Sequence, residues 1–235
     1  MAKPILDDGQ LDALRKYDTP TICNALDILL PNERKNFNTS SLFCAFPKLP
    51  PMVGYAKTAM VRSTQPTLNT PEQHMNDRFN YWTYLSKGPL PAISVIQDLD
   101  GSEAGYGAFW GEVNSNAHKA LGCIGTITDN SIRDLDVIPE GFQMLTARVV
   151  PYGGTVYLVD WDCRVNVFGL VVKSGDLIHA DVHGAVTIPD DVAGEVTEAA
   201  ELVIRREAVM LAEAKRPGVT PTSLREAYIA AAKVD

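Results

Sequence analysis

Gly111-Glu112-Val113-Asn114 opens a run whose apolar positions Val113, Ala117, Ala120 and Leu121 share one helical face, and Gly122 follows as a stop. Cys123-Ile124-Gly125-Thr126-Ile127-Thr128 then reads as a strand, and Asp129-Asn130-Ser131-Ile132-Arg133-Asp134 completes the stretch. A helix of about ten residues carries the chain roughly 15 Å outward, and a strand of about seven brings it roughly 23 Å back. Arg133 and Asp134 therefore return to the beginning of the helix at Glu112. Unsatisfied N–H groups at that beginning, a guanidinium fork and two carboxylates would share one pocket mouth. The first two suit an anion, and the carboxylates suit a divalent cation held directly or through water.

Outward from this stretch, two short helices open the chain. One carries Leu11 and Leu14; the other begins at Asp18-Thr19-Pro20, with Thr19 as the expected cap, and stops before Pro31. Residues 31–52 are rich in Pro, Asn and Ser and read as a long loop. Val53 to Val61 reads as a strand, Thr70-Pro71-Glu72 starts a helix through Leu85, and Leu90 to Asp98 reads as a buried strand before a glycine-rich turn from Gly101 to Gly111. Strands are expected at 143–150, 155–160, 164–173, 177–181 and 185–188. A long helix is expected from Pro189 to Ala214 and a last one from Thr220-Pro221. Helices alternate with strands, strands then cluster, and helices close the chain, an order that suits a layered α/β domain better than a doubly wound sheet.

The composition narrows the function. A formal charge of −8 over 235 residues argues against binding nucleic acid through its phosphates, while leaving room for a small anion at a locally positive site. Cys23, Cys44, Cys123 and Cys163 form no Cys-x-x-Cys pair, so reduced thiols are expected rather than a disulfide framework or zinc site. The opening Met1 to Asp8 has no long apolar run after its lysine and does not read as a secretory leader, and no window reaches the length of a membrane span. A cytoplasmic protein without a membrane partner is the expectation.

Twenty residues separate Glu112 from Arg133-Asp134, and the segment resembles the acidic-x20-Arg-Asp signature of the RraA-like family, specifically its 4-hydroxy-4-methyl-2-oxoglutarate / 4-carboxy-4-hydroxy-2-oxoadipate aldolases. Thr21-Ile22-Cys23-Asn24-Ala25-Leu26 is similar to the family's N-terminal helix, Gly54-Tyr55-Ala56-Lys57-Thr58 to its first core strand, and Val165-Asn166-Val167 to a central strand. Gly175-Asp176 through Asp181-Val182-His183-Gly184, with Pro189 behind, resembles its closing pattern. The resemblance implies a layered α/β/β/α RraA-like fold of the swivelling β/β/α type, one domain over 1–235 with its core at about 15–210 and C-terminal helices in 190–235.

The resemblance also implies chemistry. Asp134 would bind Mg²⁺ or Mn²⁺, and Arg133 would grip the carboxylate and carbonyl of an oxo acid. Glu112 would hold metal-bound water, and Gly111, Val113 and Asn114 would complete the carboxylate cradle. The implied reaction splits a 4-hydroxy-2-oxo acid to pyruvate and a second oxo acid, with oxaloacetate decarboxylation through the same enolate. The implied assembly is a homotrimer or homohexamer in which a neighbouring subunit lends an acidic residue, Glu201 or Glu207. Relatives that bind ribonuclease E as non-catalytic regulators lack the Asp after the Arg, and Asp134 favours catalysis here. The chain departs from the family pattern at Glu112, one methylene longer than the usual Asp, and at Asn130, where Gly is usual and a left-handed backbone is expected. Pro151 to Asp162 also departs, carrying Tyr152, Tyr157 and Trp161 in place of an Arg-Gly-rich loop.

Other polar groups read as structural. His179, Asp181 and His183 alternate on one strand face and suggest either a metal site or, preferably, a solvated row. His118 is expected on the surface. Gly105-x-Gly107-x-x-x-Gly111 lacks dinucleotide-loop spacing and reads as a tight turn beside substrate. No glycine-rich loop suited to a methyl donor is visible, which argues against a methyltransferase. Phe79, Tyr81, Trp82 and Tyr84 are expected in core and interface.

Overall fold

A computed structural model describes residues 6–235; the opening residues 1–5, read above as part of a segment without a leader, lie outside the described residues. In chain order the elements are α1 (Asp8–Leu14), α2 (Thr19–Leu29), β1 (Phe43–Cys44), β2 (Met52–Arg62), α3 (Pro71–Leu85), β3 (Ala92–Asp98), β4 (Ala108–Trp110), α4 (Glu112–Ala120), β5 (Cys123–Ile132) and β6 (Gln143–Val149). There follow β7 (Tyr157–Trp161), β8 (Val165–Val167), β9 (Leu170–Val172), β10 (Leu177–Asp181), β11 (Gly184–Ile188), α5 (Val196–Ala214) and α6 (Pro221–Ala231). No helix among the described residues is long and apolar enough to cross a membrane.

One mixed sheet runs β1-β6-β5-β3-β2-β10-β11, with β4 added to β5 and β7 added to β2. Its centre is parallel, because α3 and α4 carry the chain back between β2, β3 and β5. Its flanks are antiparallel hairpins and returns. Odd positions of β2 point to the helices: Val53 and Tyr55 pack with Leu11, Leu14, Ile22, Leu26 and Val196, while Ala59 and Val61 pack with Tyr81, Leu85 and Trp110. Even positions Met52 and Ala56 pack instead with Ile93, Ile127 and the small sheet β8-β9, through Val165, Val167, Leu170 and Val172. The sheet therefore buries both faces, which is why its strands read as near-continuous apolar runs. The α/β class expected from element order holds.

Several local expectations change. Residues 164–173 are not one strand but the hairpin β8-β9, turning where Phe168 and Gly169 have φ of 55° and 89°. A two-residue hairpin turn with positive φ at both positions matches the strand twist, and Gly supplies the second without strain. The cap of α2 is Asp18, whose carboxylate accepts from the Thr21 N–H at 2.9 Å, not Thr19, which is buried. The last long helix begins at Val196 rather than Pro189; residues 190–195 form turns closed by i→i−3 bonds such as Glu195 N to Val192 O, 2.9 Å. The 31–52 loop is pinned by its asparagines. Asn36 exchanges side-chain bonds with both backbone groups of Val171, and Asn38 Oδ1 accepts from Ala185 N at 2.7 Å. These amides reinforce short pieces of ladder inside the segment read as loop, where Phe37 bridges Val186 and β1 pairs with β6.

Of the polar row, His179 and Asp181 on β10 are buried, whereas His183 lies in the turn beyond it and is exposed. His179 is fully buried, its Nδ1 3.0 Å from the Thr19 hydroxyl and its Nε2 3.3 Å from Leu14 O, and burial lowers its pKa. Asp181 accepts from Thr19 N at 2.9 Å and from His183 N at 2.8 Å, so it tethers the start of α2 to the sheet. Lys57, also buried, donates to the carbonyls of Tyr84 and Lys87 and closes the C-terminal end of α3, where a cation is favoured.

Gly125 on β5 lies opposite Gln143 on β6 and leaves no room for a side chain. A Cβ there would stand 2.3 Å from both Gln143 O and Met52 Sδ. Gly125→Ala is expected to cost about 1–3 kcal/mol through forced displacement of the neighbouring strand, measured as a lower urea midpoint at unchanged slope.

Candidate functional site

The return inferred from helix and strand lengths is secured by a parallel pairing of β4 with β5: Ala108 lies opposite Ser131 and Trp110 opposite Ile132. Arg133 N donates to Trp110 O at 3.0 Å. Gly111-Glu112 and Arg133-Asp134 are thereby held side by side at one end of the sheet. Asp134 is an αL residue, φ 58° and ψ 39°, a conformation costing a non-glycine L-residue roughly 1–2 kcal/mol. Left-handed geometry thus falls at Asp134, not at Asn130. Asp134 Oδ2 accepts from Glu112 N at 3.3 Å and lies 3.6 Å from Arg133 Nε.

Gly111 makes this closeness possible. A Cβ on it would sit 2.5 Å from Asp134 Oδ2 and 3.2 Å from Arg133 Cγ. Ser115 N is the first amide of α4 satisfied within the helix, by Gly111 O at 3.0 Å. The N–H groups of Val113 and Asn114 have no acceptor among the described residues, as expected of an uncapped helix start. Arg133, Gly111, Val113 and Asn114 line a cavity of about 240 Å³, together with Phe109, Arg78 and the Gly153-Gly154 turn. Gly153 lies flat on the guanidinium, its ideal Cβ 3.4 Å from Arg133 Cζ, and Tyr152 O accepts from Ala108 N at 2.9 Å to hold that turn over the site.

The expected residues are thus brought together with one distinction. Arg133 and the helix start form the cavity wall, and Asp134 stands behind Gly111 with its side chain 30% exposed. Glu112 contributes its backbone amide to Asp134, while its carboxylate is exposed and makes no ion pair among the described residues. Glu201 and Glu207 lie on α5, remote in sequence and facing α2: Glu201 meets Tyr17 and Arg205, and Glu207 meets Asn24 at 3.3 Å.

No cluster of three or more His, Cys, Asp or Glu side chains capable of enclosing a metal occurs among the described residues. A hard cation that keeps most of its waters needs no such cage; Mg²⁺ is held by one or two carboxylates plus substrate oxygens. Asp134 fits that role. Its Oδ1 accepts no hydrogen bond among the described residues, and the space a Cβ on Gly111 would fill lies beside Oδ2.

Residues that the sequence reading undervalued hold the site from behind. Asn130 is buried in β5; its Oδ1 accepts from Phe109 N at 2.8 Å, and its Nδ2 donates to Asp98 Oδ2 at 2.7 Å and Gly107 O at 3.0 Å. Asp98 also accepts from Gly105 N at 2.7 Å. The glycine-rich turn is therefore fastened to β3 and β5 through one amide and one carboxylate. His118, expected on the surface, is fully buried under Trp110, with ring centroids 4.4 Å apart. Burial pushes its pKa down to about 4, so the neutral ring donates from Nδ1 to Asn114 O and accepts at Nε2 from the Tyr81 hydroxyl, 3.0 Å away. Nothing in the amphipathic pattern of α4 separated His118 from a solvent-facing residue, because its partner Tyr81 lies 37 positions away.

A family model described as RraA-like, Aldolase/RraA, matches residues 19–187. The chain belongs to the RraA-like family. Protein DlpA of Legionella pneumophila is 24% identical over 152 residues, covering 63% of this chain and 24% of its own length, so the chain spans about a quarter of that relative. Among solved structures, novel cellulases from microbes associated with the gut ecosystem give a TM-score of 0.71 at 18% identity, covering 88% of this chain and 89% of that one. Streptomyces coelicolor RraAS2, an unusual member of the RNase ES inhibitor RraA protein family, gives 0.67 at 20% identity over 88% of this chain and 97% of its own. At such identities the structural likeness is one of fold. The family includes metal-dependent aldolases as well as RNase E inhibitors.

Asp129, next to Asn130, gives the site region a pH signature. Burial pushes its carboxyl up to about 7, helped by the Asp98 charge and opposed by the Asp98 N–H. The folded chain keeps a proton there that the unfolded chain releases near pH 4, so this group lowers stability as pH rises from about 4 to about 7 and adds no further change above. His118 acts oppositely over about 4 to 6.5, so the comparison must be made with a variant. Asp129→Asn is expected to melt at a temperature that exceeds wild type by several degrees more at pH 8 than at pH 5, measured by calorimetry.

Proposed function

We propose that this chain is a divalent-metal-dependent carbon–carbon lyase that releases pyruvate from a 4-hydroxy-2-oxo acid, with 4-hydroxy-4-methyl-2-oxoglutarate as the model substrate and oxaloacetate as a decarboxylation substrate. The observation that carries this reading is the convergence of the Arg133 guanidinium and the Val113 and Asn114 amides on one cavity, with the Asp134 carboxylate beside it. Arg133 and the two amides bind the substrate carboxylate, a fork and a helix start being complementary to such an anion. Asp134 would hold Mg²⁺ or Mn²⁺, which when bound would supply Lewis acidity toward the negative charge that develops on cleavage.

Arg133 also faces the 2-oxo oxygen and shares its developing negative charge. Preorganised donors of this kind supply the largest part of such catalysis. The C3–C4 bond breaks, its electron pair passes to C3 as the enolate of pyruvate, and the C4 hydroxyl becomes a carbonyl as it loses its proton. Glu112, exposed and acidic beside Asp134, takes that proton through water. Protonation at C3 completes pyruvate. A homotrimer or homohexamer in the cytoplasm is the proposed form, with Glu201 or Glu207 reaching a neighbouring site.

Asp134→Ala is expected to lower pyruvate formation from oxaloacetate by a hundredfold or more, and chelation to do the same in wild type, in a coupled lactate dehydrogenase assay with Mg²⁺ or Mn²⁺. Arg133→Ala is expected to raise KM and lower kcat together. Gly111→Ala, which displaces the Asp134 carboxylate, is expected to weaken Mn²⁺ binding at least tenfold with little change in melting temperature. Full activity in Asp134→Ala would refute the lyase reading. Unchanged inhibition of ribonuclease E by Asp134→Ala and wild type alike, with no pyruvate from either, would establish the regulator instead.

A further inference from the structure

The cavity of the proposed site does not end at Arg133. It adjoins a second cavity, about 210 Å³ in volume, with which it shares Arg78, Phe109, Asn114 and Val156. The two differ in character. The first is floored by glycines, amides and the guanidinium; the second is walled mainly by Tyr81, Trp82, Tyr157 and Leu158 and the shared Phe109 and Val156, with His74, Asp77 and Thr155 also on its lining. These aromatics come from α3 and β7, which are packed against each other, and Tyr81 is locked by its bonds to His118 and Ser94. The Tyr81 wall of the chamber is thus tied to β3 and to the same histidine that anchors α4.

A largely apolar cavity adjoining a polar one divides a ligand into two ends. A buried cavity of about 150 Å³ lined by apolar side chains accepts benzene, so this volume accommodates one ring with room for its attachment. Asp77 on the chamber wall disfavours a second carboxylate there, and Arg78, with no ion-pair partner among the described residues, stands at the threshold where an oxygen on C4 would lie. We infer that the chamber receives an aryl group on C4, making the substrate a 4-aryl-4-hydroxy-2-oxo acid. This inference rests on the lyase reading for its chemistry. Cleavage of C3–C4 then sends the electron pair to the pyruvate enolate, which takes up a proton. The C4 hydroxyl loses its proton, and the second product is an aromatic aldehyde. The short polar substituents of 4-hydroxy-4-methyl-2-oxoglutarate leave the chamber unfilled.

The test compares ligands that differ only in what reaches the chamber. In calorimetric titrations with Mg²⁺, 2-oxo-4-phenylbutanoate, whose ring sits on C4, is expected to bind roughly ten- to hundredfold more tightly than 2-oxobutanoate, the effect of burying one phenyl side chain. In the coupled assay 4-hydroxy-2-oxo-4-phenylbutanoate is expected to exceed 4-hydroxy-4-methyl-2-oxoglutarate in kcat/KM by a similar factor. Thr155, exposed and lining only the second cavity, offers a plug. Thr155→Trp is expected to lower 2-oxo-4-phenylbutanoate affinity at least ten times more than 2-oxobutanoate affinity. Equal binding of the two ligands by wild type overturns the inference without any variant, as does a Thr155→Trp effect that is the same for both. Turnover of oxaloacetate without preference for the phenyl substrate defeats the aryl assignment and leaves the lyase reading intact. Selective, plug-sensitive binding of 2-oxo-4-phenylbutanoate with no turnover of any oxo acid keeps the aryl chamber and defeats the lyase reading.

Discussion

The parallel contact between β4 and the far end of β5 is the constraint on which the candidate site depends. It spans only a few residues, yet the bond from Arg133 N to Trp110 O decides where the helix start and the Arg-Asp pair meet. A strand this short cannot hold itself in place by ladder bonds alone. Its support comes from behind, where Asn130 and Asp98 hold Gly105, Gly107 and Phe109. The network is buried, and each principal polar atom in it has a partner. Such a network specifies one arrangement, because breaking any member leaves a desolvated group unpaired.

Aromatic packing supplies the second layer of support. Trp110, at the end of β4, stacks on His118, and His118 bonds across to Tyr81 on α3. The start of α4 is therefore fixed laterally as well as along the strand. A protonated imidazole would lose its acceptor role toward Tyr81. Burial keeps the ring neutral and removes it from acid–base work at the site, although it lies only one turn from the amides that line the cavity.

Much of this was legible in the amino-acid order because it is local. The helix at Glu112, the strand after Gly122 and the twenty-residue spacing to Arg133 were legible and together place the catalytic candidates, although the face read as apolar is not the buried one: Val113 and Ala120 are exposed, and Ser115 and His118 are buried. What escaped depends on distant partners. His179 looked like a member of an exposed row until Leu14 and Thr19 covered it. Asn130 looked like a backbone substitute for glycine, whereas its worth lies in bonds to residues 98, 107 and 109. The split of residues 164–173 was hidden because the turn uses Phe168-Gly169 rather than the usual Asn-Gly signal. The aromatic chamber needed α3 and β7 to be brought together, which no periodicity encodes.

The left-handed backbone at position 134 carries an evolutionary consequence. Glycine would adopt that conformation more comfortably than aspartate, so fold stability alone does not explain the acidic residue found there. Lineages released from any demand for the carboxylate would drift toward less strained residues while the scaffold persisted. A scaffold that outlives its chemistry in this way can be recruited for binding, and a single codon would then separate the two kinds of descendant.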